Sequence, residues 1–278
     1  MSNILCYENS LVDVLVDGEP LRVNYIRCSP LARLKTKGTV VLLHDFFRTS
    51  YQFRHVLDLF AMGGYITISP DLPGKHVGSQ QRTNDAMEVA TVAESLNGML
   101  EKIGVRQPVH LVGCGFGASI ASIFATRYPK LVASVVRGTG SSKAGMQNML
   151  SLSSSLTKQE RLQAFTQYLR LKDRKTFDLS DQGIEEYAEA HVDPTMLLSM
   201  QKLCRDLGRD DSTLAPTTEK LAQAPVPNLA LETLPEEEPE HVALSVLSFV
   251  NRHVSQAKSN VSADPSSSRK QATKESRL

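Results

Sequence analysis

The segment Gly113-Cys114-Gly115-Phe116-Gly117 lies between an apolar run, Val109–Val112, and a helical stretch, Ala118–Tyr128. A side chain can act as a nucleophile from a sharp strand-to-helix turn only if the residues two before and two after it are small. The two chain segments meet there too closely for anything larger. Gly113 and Gly117 satisfy that condition, and the position they bracket is Gly115, which has no side chain with which to attack. Moving the frame to Cys114 places Val112 and Phe116 at the flanking positions. Both are bulky, so Cys114 reads as a small buried hydrophobe. The spacing also misses the G-x-G-x-x-G of a dinucleotide-binding turn, and no cofactor is implied.

A second chemical group stands at Asp45, directly after the apolar run Thr39-Val40-Val41-Leu42-Leu43 and His44. A carboxylate there has two readings. It serves as a general acid or base if desolvation raises its pKa, or it hydrogen-bonds a neighbouring loop. The four cysteines, Cys6, Cys28, Cys114 and Cys204, are widely spaced, with no C-x-x-C pair and no histidine cluster nearby. They read as reduced thiols of an intracellular protein, with neither a zinc site nor a disulfide framework.

The elements that must position these residues alternate. Leu11–Val16 and Leu21–Ile26 flank Asp17-Gly18, a hairpin signal. Thr39–Leu43, Tyr65–Ile68, Val109–Val112 and Leu131–Val136 are short apolar runs of the kind buried on both faces of a parallel sheet. Helical spacing of apolar residues marks 52–62, 85–103 and 118–128 between them. This is a mostly parallel, doubly wound sheet with a short antiparallel start. From about Gly138 to Ala222 strand signals vanish, and helical segments at Lys158–Leu171, Asp181–His191 and Pro194–Leu207 form an insertion. One strand, Asn228–Leu231, and an amphipathic helix, Pro239–His253, complete the sheet. The expected parts are therefore a core over 1–137, a helical lid over 138–222, a last strand and helix over 223–254, and a disordered tail over 255–278. A net charge of +1 gives no field to attract nucleic acid, and no apolar run approaches the roughly 20 residues that span a bilayer. Neither nucleic acid nor membrane is expected as a partner.

Three segments together resemble the α/β-hydrolase superfamily, most closely its epoxide-hydrolase branch. Leu42–Phe47 with Thr49–Arg54 is similar to the family's H-G-F-P oxyanion loop and the helix start after it. Ser69-Pro70-Asp71-Leu72-Pro73-Gly74 resembles its A-P-D-x-x-G turn, and Leu111–Ala118 occupies the place of its nucleophile elbow. The resemblance implies the α/β-hydrolase fold with a short helical lid, and an oxyanion hole made by the backbone N–H groups of Phe46 and Phe116. It implies a structural role for His44. It places the catalytic histidine near Glu232, leaving Asp45 and Glu232 as candidate replacement acids, and it offers no position for a triad acid. Asp45 stands where the family has a loop glycine, and Phe47 where it has proline. The family polarises its epoxide with lid tyrosines; the candidates here are Tyr168 and Tyr187, with packing as the other reading of each. The terminal Ser276-Arg277-Leu278 is a close variant of the S-K-L peroxisomal address, which a peroxisomal import receptor would read. The resemblance extends to peroxisomal hydrolase-family proteins of fungal toxin clusters. It implies action on a small lipid-derived acyl or epoxide substrate. The alternative is a catalytically inactive fold that binds a ligand or a partner protein.

Overall fold

The computed structural model describes residues 5–30, 35–72, 88–140, 156–173, 181–189, 200–203, 226–232, 235 and 237–262. Seven strands form one sheet: β1 (Leu5–Val16), β2 (Glu19–Pro30), β3 (Gly38–Leu43), β4 (Tyr65–Pro70), β5 (Val109–Cys114), β6 (Val132–Gly138) and β7 (Asn228–Leu231). Their order across the sheet is β1-β2-β4-β3-β5-β6-β7. β1 and β2 pair antiparallel with Val16 opposite Glu19, so Asp17-Gly18 is a two-residue loop. Both loop residues have positive φ, 52° and 82°, the type I′ geometry whose twist matches a hairpin. β2 meets β4 antiparallel, and from β4 to β7 every pairing is parallel.

The continuous apolar runs are explained by the two cores they separate. Val41, Leu43 and Leu111 face one side with helices α2 (Val89–Lys102) and α3 (Phe116–Arg127). Val40, Leu42 and Val112 face the other with α1 (Leu57–Met62) and α6 (Pro239–Ser262). Val40 to Leu43 are all fully buried, and each such side chain contributes about 1.5–3 kcal/mol of burial. Helices on both faces of a parallel sheet are the doubly wound arrangement expected from the sequence.

Two helices differ from the sequence reading. The periodic stretch 52–62 is not one helix: Ser50–Phe53 forms a 3₁₀ turn and α1 begins at Leu57. Thr49 accepts the Tyr51 N–H through its hydroxyl, and successive three-residue bonds (Gln52 to Thr49, Arg54 to Tyr51, Val56 to Phe53) keep the winding tight. α6 runs to Ser262, beyond His253, through a sequence with no proline before Pro265 to stop it. Residues 263–278, including the expected targeting tripeptide, lie outside the described residues, as does most of the expected helix Pro194–Leu207.

Two lid helices are described, α4 (Lys158–Asp173) and α5 (Asp181–Glu189). A capping box starts α4: Glu160 accepts the Thr157 N–H at 2.8 Å while Thr157 Oγ1 accepts the Glu160 N–H at 3.3 Å. Among the described residues no helix is long and apolar enough to cross a membrane. No three His, Cys, Asp or Glu side chains among them cluster as a metal site would require.

Candidate functional site

The carboxyl ends of β3, β5 and β6 converge, with Leu43 paired to Gly113 and Cys114 to Gly138. The chain turns from β5 into α3 at Gly115, whose φ of 49° and ψ of −110° are a conformation L side chains rarely adopt. The Gly115 N–H donates to Gly138 O at 3.2 Å. The flanking glycines are there because the backbones touch. A Cβ on Gly113 would stand 2.3 Å from Gly117 O, and one on Gly117 would stand 2.0 Å from Leu43 O. The turn is thus built as the sequence predicts, with glycine at its apex.

At the apex itself the neighbour is a side chain. A Cβ on Gly115 would lie 2.0 Å from Asp45 Oδ1 and 2.3 Å from its Cγ. The Asp45 carboxylate therefore fills the volume that a nucleophilic side chain would leave from. Its Oδ1 accepts the Phe116 N–H at 2.8 Å, and its own backbone N–H donates to Gln52 Oε1 at 2.9 Å. Asp45 is only 4% exposed. A carboxylate on the first amide of α3 is favoured both as a charge-assisted bond and by the helix dipole. One of the two expected oxyanion donors, Phe116 N–H, is thus already engaged by the Asp45 side chain. Gly140 closes the apex from the other side, where its own Cβ would stand 2.2 Å from Gly115 Cα and 2.7 Å from Asp45 Oδ2.

The surrounding loops are locked by buried polar bonds. His44 is fully buried; its Nε2 accepts the Leu72 N–H at 2.9 Å, so the proton sits on Nδ1, which donates to Asp45 O at 2.9 Å. With both ring nitrogens engaged, His44 orients the turn. Asp71 accepts Ser50 N–H and Asn24 Nδ2, each at 2.7 Å, tying the loop after β4 to β2 and to the 3₁₀ turn. Rings roof the turn: Phe46 and Phe116 are 4.4 Å apart between centroids, and Phe47, at φ 56°, meets Phe165 of α4 at 5.2 Å.

The remaining candidates are more distant. Tyr168 packs edge-on against Phe47 at 5.5 Å. Tyr187 is fully buried against Tyr51, with the Arg48 guanidinium 4.8 Å from its ring centre. Both tyrosines hold the lid to the core. Glu232 follows β7 and is exposed, while its carbonyl accepts from Thr139 Oγ1 at 3.0 Å. β7 is separated from β5 by β6, so Glu232 stands about 10 Å from Gly115 at ordinary strand spacing. The structure brings together Asp45, Gly115, Phe46 and Phe116, and leaves Glu232 at the rim. Gln52 and Gly140 were not singled out by the sequence: a glutamine in a helical stretch and a glycine beyond a strand end carry no chemical pattern of their own.

Residues 38–178, just over half of the chain, match the family described as alpha/beta hydrolase fold. Epoxide hydrolase B of Mycobacterium tuberculosis is 33% identical over 97 residues, 35% of this chain and 27% of that protein. Epoxide hydrolase 3 of Siraitia grosvenorii is 31% identical over 106 residues, 38% of this chain and 33% of that protein. The chain thus spans a third or less of the length of the curated relatives it matches. Among solved structures, ligand-free epoxide hydrolase CorEH aligns with a TM-score of 0.63 at 19% identity, covering 88% of this chain and 99% of that one. Epoxide hydrolase A of Mycobacterium thermoresistibile aligns at 0.64 and 15% identity, covering 88% and 98%. At such identities the structural likeness is one of fold. Sheet order, glycine-flanked turn and family match agree, and the chain belongs to the α/β-hydrolase fold family.

Proposed function

We propose that this chain is a ligand-binding α/β-hydrolase-fold protein that takes a small lipid-derived acyl or epoxide compound and does not hydrolyse it through an elbow nucleophile. The observation that supports this reading is the Asp45 carboxylate, which fills the nucleophile's space above Gly115 and holds the Phe116 N–H. A tetrahedral oxyanion would have to displace the Asp45 side chain from this donor, which in a working oxyanion hole stands free. Among the described residues no base faces the turn to offset this: both His44 nitrogens are engaged and Glu232 stands exposed at the rim. Peroxisomal secondary metabolism, including toxin formation, is the setting that the terminal Ser276-Arg277-Leu278 and the family resemblance suggest.

A second reading is favoured by the way Asp45 is held. With Oδ1 on the Phe116 N–H, Oδ2 is a carboxylate oxygen at the site of the missing side chain. Attack of Oδ2 on an epoxide carbon would open the ring to a hydroxyalkyl ester, the alkoxide taking a proton from water. With no base among the described residues to activate water against that ester, it would accumulate.

One experiment separates the two. Purified protein is incubated with a panel of epoxides, acyl esters and acyl-CoA thioesters, following product, intact mass and saturable binding. Saturable binding with no product and no mass change supports the binding reading. A one-to-one mass gain equal to the epoxide, lost in Asp45→Asn, supports the second. Multiple turnovers lost in Asp45→Ala would refute the binding reading. Fluorescent fusions with and without Ser276–Leu278 test the compartment, and equal distribution of the two would remove the peroxisomal setting.

A further inference from the structure

The amino ends of β3, β4, β5 and β6 border a cavity of about 870 Å³, at the edge of the sheet opposite the Gly115 turn. Gly38 at its rim and Asp45 at the turn are seven residues apart along an extended chain, roughly 20 Å. The cavity is separate from the family site, since ligands of open parallel sheets ordinarily gather at the carboxyl ends of the strands.

Its lining is chemically one-sided. Arg27, Lys37 and Arg106 contribute to it, with His110 and His253, and among the described residues no Asp or Glu does. Among the described residues none of the three cations forms an ion pair. Lys37 is held by neutral partners: its Nζ lies 3.4 Å from Asn251 Oδ1, which also accepts the Tyr65 hydroxyl at 2.9 Å, and 5.8 Å from the Tyr65 ring centre. His110 is 3% exposed, with Nδ1 and Ser134 Oγ 2.7 Å apart and Nε2 turned toward Gly38. Burial, with His253 nearby, pushes its pKa down to about 4, so it offers a neutral polar edge at pH 7. Between these groups the walls are apolar, from Ile66, Ile103, Val105 and Val132.

A volume within the usual few hundred to a thousand cubic ångströms, mostly apolar walls and a few convergent polar groups describe a small-molecule site. Three cations in one concavity with no counter-charge among the described residues repel each other, and a bound anion would relieve that repulsion. We propose that this cavity binds an amphipathic anion, a carboxylate or phosphate head met by Lys37, Arg27 and Arg106 with a short apolar body against Ile66, Ile103 and Val132.

The test is calorimetric titration of the full chain with four probes: decanoate, decyl phosphate, decanol and inorganic phosphate. Two variants accompany it, Lys37→Ala/Arg106→Ala, which alters only exposed side chains, and Ala133→Phe, which fills the cavity. One-to-one binding of decanoate or decyl phosphate is expected, with decanol and inorganic phosphate each weaker by about tenfold or more. The relative strength of the two anionic probes assigns the head group. The charge variant should lose about tenfold in affinity for them and Ala133→Phe should lose binding. Decanol binding as tightly as decanoate, undiminished affinity in either folded variant, or no binding of either anionic probe would overturn the proposal.

Discussion

The contact between Asp45 and Gly115 makes a quantitative prediction about a double-mutant cycle. Gly115→Ala places a methyl 2.0 Å from Asp45 Oδ1, at a φ of 49°. The backbone conformation alone costs about 1–3 kcal/mol for a residue with a side chain. The methyl also evicts the carboxylate and breaks the buried bond to Phe116 N–H, a further loss of about 1.5–3 kcal/mol for a charged hydrogen bond. The single variant should therefore lose about 2.5–6 kcal/mol of stability. Asp45→Ala loses the same hydrogen bond with no backbone strain, about 1.5–3 kcal/mol. In the double variant that bond is lost once, so the combined loss falls short of the sum of the singles by about 1.5–3 kcal/mol. Urea unfolding of the four proteins measures it, with constant slopes as the check that unfolding remains comparable. Losses that add within about 0.5 kcal/mol would show that Asp45 does not occupy the Gly115 side-chain space, and the reasoning would fail.

Other expectations are simpler. Gly117→Ala forces a Cβ to 2.0 Å from the Leu43 carbonyl, a backbone atom that cannot step aside, and should lose more than about 4 kcal/mol or prevent folding, whereas Gly38→Ala, whose nearest atom would be 3.6 Å away, should stay within about 1 kcal/mol; thermal melts compare them. His110, at about 4 in the fold against 6.5 when unfolded, is neutral in both states at high pH; as pH falls from 6.5 the unfolded chain takes up a proton that the fold resists, so stability drops by about 3 kcal/mol by pH 4. His110→Gln should remove that part of the slope in denaturation at several pH values, and an unchanged slope would refute the burial of His110. Burial raises the Cys28 thiol to about 11 while Cys6 is exposed, so in a Cys204→Ser background a thiol reagent should titrate one group in the native protein and three after unfolding.

What was legible in the sequence was what backbone and burial dictate locally. The apolar runs at 39–43 and 109–112 read as strands buried on both faces because both faces are covered, and Asp17-Gly18 read as a hairpin because few residue pairs tolerate two positive φ angles. Gly113 and Gly117 read as a close approach because nothing larger fits. The site itself was only half legible. That Gly115 lacks a nucleophile is a fact of composition, but that Asp45 takes its place depends on a contact between residues seventy positions apart. The long helix read over 52–62 failed for a related reason: apolar periodicity reports which residues are buried, and a 3₁₀ turn followed by a short α-helix buries nearly the same ones. The cavity at the far edge left no motif, because its cations come from β2, from the approach to β3 and from the loop before β5.

The shared space at the apex also orders history. If the ancestral chain carried a side chain at position 115 and, as the family resemblance indicates, glycine at 45, an aspartate at 45 would have struck that side chain at once. On that premise the loss at 115 comes first or together with the gain at 45. Once Asp45 had settled onto the Phe116 amide, a single reversion at 115 became the harmful step. The present contact would then act as a ratchet. Reversal requires two coordinated changes, and sister sequences should carry glycine at 115 without aspartate at 45 far more often than the converse.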